Sequence, residues 1–169
     1  MKVLAVSLIA LCFSLMGFSV SYRLENRISK LEKIGVFLSD IKSRIQFTAD
    51  CAADVFSSLN STGNYTILPF VRDCATKLQN GESFDLSWQY AVSQKNNILG
   101  LKKEDVAILL SFGAAFGVTD TAGQISNCEV HEKLIEAKLG LAKKDFSLYS
   151  KPAKGIGVLA GLAVVILSL

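Results

Sequence analysis

Two apolar runs, one at each end of a charged middle, constrain this chain more than any other feature of its sequence. Val3–Tyr22 contains no charged side chain, and neither does Gly155–Leu169. Apart from Lys2, every charged side chain lies between Arg23 and Lys154. This distribution is typical of a domain held between two membrane segments.

The lengths of the two runs predict where the membrane segments begin and end. As a helix, the first run is about 30 Å long, which matches the hydrocarbon thickness of a bilayer. The second run is shorter, but the apolar stems of Lys151 and Lys154 extend it. We therefore expect a transmembrane helix at residues 1–22, a helical domain at residues 23–152 and a second transmembrane helix at residues 153–169.

A cleaved signal peptide is the alternative for the first run. Lys2 supplies a basic start, and Gly17-Phe18-Ser19 offers a cleavage site of the small-x-small type. The run is long for the apolar core of a signal peptide, and no polar stretch separates it from that site. A retained helix is therefore favoured.

Lysine and arginine residues cluster on the inner side of both runs. They are Arg23, Arg27, Lys30 and Lys33 after the first run, and Lys138, Lys143, Lys144, Lys151 and Lys154 before the second. The positive-inside rule then places the middle domain in the cytoplasm and both termini outside. These side chains suit anionic membrane lipid, whereas a net charge of +3 is too small to indicate a nucleic-acid partner.

The spacing of apolar residues in the middle domain predicts helices throughout. From Leu24 to Ile45 they recur every three or four residues, so a helix continues directly out of the first run. Further helices are expected at Ala52–Leu59, Leu68–Leu78, Phe84–Ser93, Leu101–Phe116 and Gln124–Tyr149, with Pro152 ending the last. The alternating pattern of a strand is absent from the sequence. We therefore expect an all-α fold, a bundle of about six helices flanked by the two transmembrane helices.

The stretch Phe112–Gln124, "FGAAFGVTDTAGQ", contains two glycines among good helix formers. Gly117 is suited to end the fifth helix in a left-handed conformation, and Gly113 is suited to let a neighbouring helix approach closely. A phosphate-binding loop would need a preceding strand and usually a lysine, and the sequence provides neither. The stretch therefore predicts a tight corner between two helices.

Polar residues after Gly117 predict the start of the sixth helix. Thr119, Asp120 or Thr121 can cap it, since each carries a side-chain oxygen that accepts from an unpaired backbone N–H. Thr121 and Gln124 also have the spacing of a capping box.

The residues that could carry chemistry do not form a recognisable site. His131 and Cys128 could supply half of a metal site, but no second half has ligand spacing. The isolated residues Cys51, Cys74 and Cys128 are expected as buried apolar side chains. We therefore expect neither a cofactor nor a metal, and a protein that is not an enzyme.

Two further groups have possible interaction roles. Lys102, Lys103, Glu104 and Asp105 form the polar first turn of the fifth helix, and they are a candidate partner contact. Gly157 and Gly161 have the small-xxx-small spacing that packs one membrane helix against another.

The order of these features resembles the stage III sporulation protein AB family of endospore-forming bacteria along essentially the whole chain. The family's marker is an acidic helix start followed by Leu, Phe-Gly, Leu-Gly, Ser-Asp and Gln. Its positions are Glu104, Asp105, Leu109, Phe112, Gly113, Phe116, Gly117, Thr119, Asp120 and Gln124 in this chain. Phe116 stands where the family usually has leucine, and Thr119 where it usually has serine. The small-residue C-terminal run of the family matches Gly155–Leu169.

The resemblance implies a helical domain like one repeat of the inner-membrane platform proteins of type II secretion and type IV pilus machines. It implies a non-enzymatic platform subunit in the mother-cell membrane around the forespore, as part of the channel apparatus that joins the two cells. A cytoplasmic ATPase and other membrane proteins of the stage III apparatus are the implied partners, and a homo-oligomer is possible. The alternative is a secreted or surface-tethered helical binding domain with a cleaved leader.

Overall fold

The protein is described by a computed structural model that covers the backbone of residues 2–48, 52–94, 98 and 100–168. Side chains are described for residues 19–47, 53–94, 98 and 100–150. Within these ranges the chain forms six helices and no strand, so the predicted all-α class is confirmed. The helices are α1 (Lys2–Thr48), α2 (Ala52–Ser61), α3 (Pro69–Gln79), α4 (Phe84–Ser93), α5 (Lys103–Ala115) and α6 (Thr121–Ser168).

The four short helices begin and end close to where the sequence predicts. Pro69 occupies the first turn of α3, where its missing N–H leaves no hydrogen bond unmade. Gly81, with φ of +84°, follows the end of that helix in a conformation that other residues resist. Ser83 precedes α4 but makes no side-chain cap, and its carbonyl instead accepts from the hydroxyl of Ser87 at 2.8 Å.

The two long helices join segments that the sequence divides. α1 runs without a break from Lys2 to Thr48, so the first apolar run and the following apolar stripe belong to one helix. α6 likewise continues through Pro152 to Ser168, and the predicted helix end at that proline is wrong. A proline removes one N–H donor and crowds one carbonyl, and the turns on both sides can keep such a helix continuous.

No helix qualifies as long and apolar enough to cross a membrane, within the residues that the structure describes. The predicted transmembrane helices at residues 1–22 and 153–169 fall largely on positions 1–18 and 151–169, whose side chains lie outside the description. The predicted packing glycines Gly157 and Gly161 lie there too.

The chain divides into two compact units, one within residues 1–28 and 140–169 and the other within residues 29–139. In the first unit the Arg27 side chain is 6% exposed, and its Nη1 lies 3.8 Å from Oδ2 of Asp145. Ser21, Ala142 and Ser150 are also buried in this unit.

The core of the second unit is a cluster of aromatic rings centred on the fully buried side chain of Trp88. Five rings lie with their centroids 5.6 to 6.2 Å from it, and these are Phe37, Phe56, Phe70, Phe84 and Phe112. The edge-to-face pairs among them have the geometry that aromatic quadrupoles favour. This cluster fixes α4 against α5, the helix that leads into the predicted corner.

Candidate functional site at the α5 to α6 corner and the start of α5

Gly113 lies where the indole of Trp88 crosses α5. A Cβ atom built on this glycine would lie 1.9 Å from Cδ1 of Trp88, so no larger residue fits without displacing the ring. Nε1 of Trp88 donates to the carbonyl of Leu109 at 2.7 Å. A carbonyl oxygen has two lone pairs and can accept this bond besides that of its own helix. The close neighbour expected at Gly113 is therefore a side chain of α4.

Gly117 has φ of +81° and follows the last turn of α5. Phe116, just before it, donates its N–H to the carbonyls of Phe112 and Gly113 at 3.1 and 3.2 Å. A Cβ on Gly117 would meet nothing within 4 Å, so backbone conformation alone favours glycine here.

Asp120 is the residue that caps α6. Its Oδ1 accepts from the N–H of Gly123 at 2.9 Å, while Nε2 of Gln124 donates to the carbonyl of Thr119 at 3.1 Å. The capping box expected from Thr121 and Gln124 is wrong, because α6 begins at Thr121 and the preceding residue takes the cap position. The side chain of Thr119 also packs where a Cβ of Gly123 would lie, a constraint that the sequence pattern did not reveal.

Replacing Asp120 with alanine should lower the free energy of unfolding by about 1 kcal/mol, the usual size of a lost N-cap. The matched control is Thr121→Ala, which removes a neighbouring hydroxyl that makes no cap and should leave stability within about 0.5 kcal/mol. Urea denaturation of the purified full-length protein, followed by circular dichroism, measures both. Equal losses in the two variants would show that the cap is misassigned.

His131 has both ring nitrogens engaged at the same corner. Nδ1 donates to the carbonyl of Asn127 at 2.8 Å, and the hydroxyl of Ser111 lies 3.0 Å from Nε2. Cys128 is fully buried, and no group of three or more His, Cys, Asp or Glu suited to a metal occurs among the described residues. The ring therefore ties α5 to α6 in this structure.

Ser111 and Asn127 are residues of the corner that sequence reasoning missed. Nδ2 of Asn127 donates to the carbonyl of Phe112 at 3.1 Å, as a second donor beside the N–H of Phe116, and so joins α6 to the last turn of α5. The sequence feature that could have pointed to Ser111 is its position as the one hydroxyl residue in the apolar stretch "VAILLSFGAAF". That signal marks a position of interest, but it does not identify the partner on α6.

The candidate partner contact at the start of α5 is partly a surface and partly a helix cap. Lys102, Lys103 and Glu104 are exposed. Asp105 is fully buried, and its Oδ2 accepts from the N–H of Lys102 at 2.9 Å. A carboxylate in that position stabilises the first turn, so Asp105 does not belong to the contact surface.

A shallow apolar groove of about 210 Å³ lies beside Lys103. Its lining residues are Ile98, Leu101, Lys103, Val106, Ala107 and Leu110. The start of α5 thus combines exposed positive charge with apolar surface, a combination that the acidic and basic residues alone did not predict.

The family model described as stage III sporulation protein AB matches residues 2–169. No curated protein and no solved structure matches this chain.

Proposed function

The chain belongs to the stage III sporulation protein AB family, and from that premise we propose that it is a non-enzymatic membrane platform subunit that couples a cytoplasmic ATPase to membrane partners. A role in sporulation follows from the family. The platform role, in the channel apparatus between mother cell and forespore, is what the family resemblance implies.

The observation that carries the proposal is the continuity of the two long helices. α1 and α6 each extend from an apolar run into the charged part of the chain with no loop between. A continuous helix transmits displacement along its axis, whereas a flexible linker lets the attached domain swing. Both helices are therefore suited to carry motion between a cytoplasmic partner and the membrane.

Charge supports the placement of that partner. The basic residues on the inner side of both runs favour a cytoplasmic middle domain. Lys102 and Lys103 offer exposed positive charge beside an apolar groove, and exposed charges mainly set association rate and specificity. We assign this surface to the ATPase, through a segment that carries both acidic and apolar side chains.

The test is recovery of the ATPase with tagged full-length protein from sporulating cells after crosslinking. Reversing Lys102 and Lys103 to Glu should reduce that recovery about tenfold, a loss of roughly 1.4 kcal/mol in association. The matched control reverses Arg72 and Lys77 on α3, which gives the same change in charge far from both apolar runs. Their surface ion pairs with Asp73 and Glu82 contribute little to stability. Circular dichroism of each variant checks that folding is intact.

Equal recovery from both variants would remove the start of α5 as the contact. Failure of the wild-type chain to recover any ATPase would reject the platform role. Intact mass of the same samples distinguishes the alternative of a cleaved leader, because that alternative requires the first apolar run to be lost.

A further inference from the structure

A groove of about 450 Å³ runs between α1 and α6 within the second unit. Its lining residues are Leu31, Glu32, Gly35, Val36, Ser39, Glu132, Ile135, Glu136 and Leu139, and we call it the acidic groove. Val36 forms part of the apolar wall of the groove, and 50% of its surface is exposed. Glu32 and Glu136 are exposed beside the apolar lining. The groove is therefore an open apolar surface with carboxylates along it.

Glu132 adds a third carboxylate to the wall of the acidic groove. Its Oε2 accepts from Nζ of Lys42 at 2.8 Å, while its Oε1 is buried and has no hydrogen-bond partner among the described residues. Glu132 is thus held by Lys42 in the wall of the groove, and the carboxylates that a partner can reach are the exposed ones of Glu32 and Glu136.

The same unit carries a surface of complementary character on α6, which we call the basic ridge. Val130 and Leu134 are 52% and 43% exposed, and Ala137 continues the row. Lys133 and Lys138 lie on the two sides of this row. At about 3.6 residues per turn, the ridge lies on the face of α6 opposite Glu132, Glu136 and Leu139.

We propose that the acidic groove of one copy receives the basic ridge of a second copy. An apolar row on one helix fits the groove between two others by ordinary helix packing. Lys133 and Lys138 of the second copy would then meet Glu32 and Glu136 of the first. This charge complementarity is what favours a copy of the same chain as the occupant.

The two surfaces differ, so the contact is head-to-tail. Each copy keeps one free groove or one free ridge, and such contacts generate rings when the rotation closes and open arrays when it does not. The proposal depends only on the second unit and on self-association. It can therefore fail while the assigned ATPase contact holds, and the reverse is equally possible.

Cysteine pairing tests the geometry directly. Two full-length copies with different tags, both with native cysteines replaced by alanine, are co-expressed, one with Val36→Cys and the other with Leu134→Cys. Mild oxidation of the membranes should give a mixed disulfide-linked dimer. The matched control pairs Leu134→Cys with Leu86→Cys, an apolar position on α4 that is 61% exposed, and it should give none. A dimer that contains only Val36→Cys copies, or no mixed dimer, overturns the proposal.

Charge exchange tests the same contact with all native cysteines present. Replacing Glu32 and Glu136 with Lys should reduce chemical crosslinking between copies at least tenfold, and replacing Lys133 and Lys138 with Glu should do the same. Combining all four changes in one chain should restore crosslinking, because each reversed charge again meets an opposite one. A combined variant that crosslinks no better than the single reversals contradicts the proposal.

Discussion

Replacing Gly113 with alanine should destabilise the protein by about 3 kcal/mol, at the upper end of the usual cost of overpacking a core. A loss of stability is unusual for this substitution, since alanine normally stabilises a helix relative to glycine by about 1 kcal/mol. The new Cβ would lie 1.9, 2.4 and 2.7 Å from three atoms of the Trp88 ring. Contacts under 3.0 Å do not persist, so either the ring or α5 must move.

The ring of Trp88 has little freedom to move. It is fully buried, aromatic rings surround it, and its Nε1 is bonded to the carbonyl of Leu109. Moving it would break that bond and open gaps elsewhere in the cluster, which loses contacts on both sides. The cost at Gly113 therefore extends through the whole aromatic core.

Two comparisons isolate this steric effect in urea denaturation of the full-length protein. Gly140→Ala, at a helical glycine with nothing within 4 Å of a built Cβ, should instead stabilise the protein by about 0.5 to 1 kcal/mol. Trp88→Leu combined with Gly113→Ala should cost less than the sum of the two single changes, because the smaller side chain leaves room for the methyl group. If Gly113→Ala is as stable as Gly140→Ala, the indole does not occupy this site.

Local signals in the sequence were sufficient to predict the short helices. α4 has the predicted bounds Phe84–Ser93, and α2 begins at the predicted Ala52. These elements are bounded by residues with strong preferences of their own, such as Gly81 after α3. Apolar spacing and breaker residues act within a few positions of each other, which is the range that a sequence pattern covers.

Features that depend on distant partners were not predictable. The pair of Ser111 and His131 and the packing of Trp88 on Gly113 join residues on different helices, and nothing local specifies which faces meet. The sequence limits the N-cap of α6 to Thr119, Asp120 or Thr121. Asp120 takes that position because the helix begins at the next residue. Asp105 follows three charged residues in the sequence, a context typical of an exposed helix turn. Only the structure shows that its carboxylate is buried.

The family was predictable because the order of features along the chain is itself a local property, and the family model confirms it. The interaction surfaces could not be predicted from the sequence. The acidic groove combines α1 with α6, and the apolar groove beside Lys103 combines a loop with α5. Such surfaces form only when segments far apart in sequence pack together, so the ATPase contact and the self-contact stay proposals for experiment.

Stability should fall steeply above about pH 9 because of two buried thiols. Burial raises the pKa of Cys74 from 9.0 to about 12. Burial, followed by the charge of Glu132, raises the pKa of Cys128 from 9.0 to about 12. Between pH 9 and about pH 12 each thiol ionises in the unfolded chain but not in the folded protein. Each thiol therefore lowers the free energy of unfolding by about 1.4 kcal/mol per pH unit. Below pH 9 both states hold the proton, and neither thiol contributes to the slope.

Other groups titrate in the same range, so the thiols are identified by difference. Burial and the hydrogen bond to Asp40 raise the pKa of Tyr65, which adds a loss of the same sign. Burial lowers the pKa of Lys30, which acts in the opposite direction. The hydrogen bond to Glu132 raises the pKa of Lys42, which adds a further loss of stability at high pH. Replacing Cys74 and Cys128 together with alanine leaves the contributions of Tyr65 and Lys30 in place, and it changes that of Lys42 only through the charge of Cys128, the smallest cause of its shift.

The two stability curves should therefore cross. At neutral pH the double alanine variant is expected to be less stable by about 1 to 2 kcal/mol, because each change deletes a buried sulfur. Above pH 9 the wild-type protein should lose about 3 kcal/mol more per pH unit than the variant, at roughly 1.4 kcal/mol for each thiol. The variant should thus become the more stable protein before pH 11. Urea denaturation under reducing conditions at half-unit steps from pH 7 to pH 11 measures both curves. Parallel curves would mean that the thiols ionise as readily in the folded protein as in the unfolded chain, and hence that they are not buried as this structure places them.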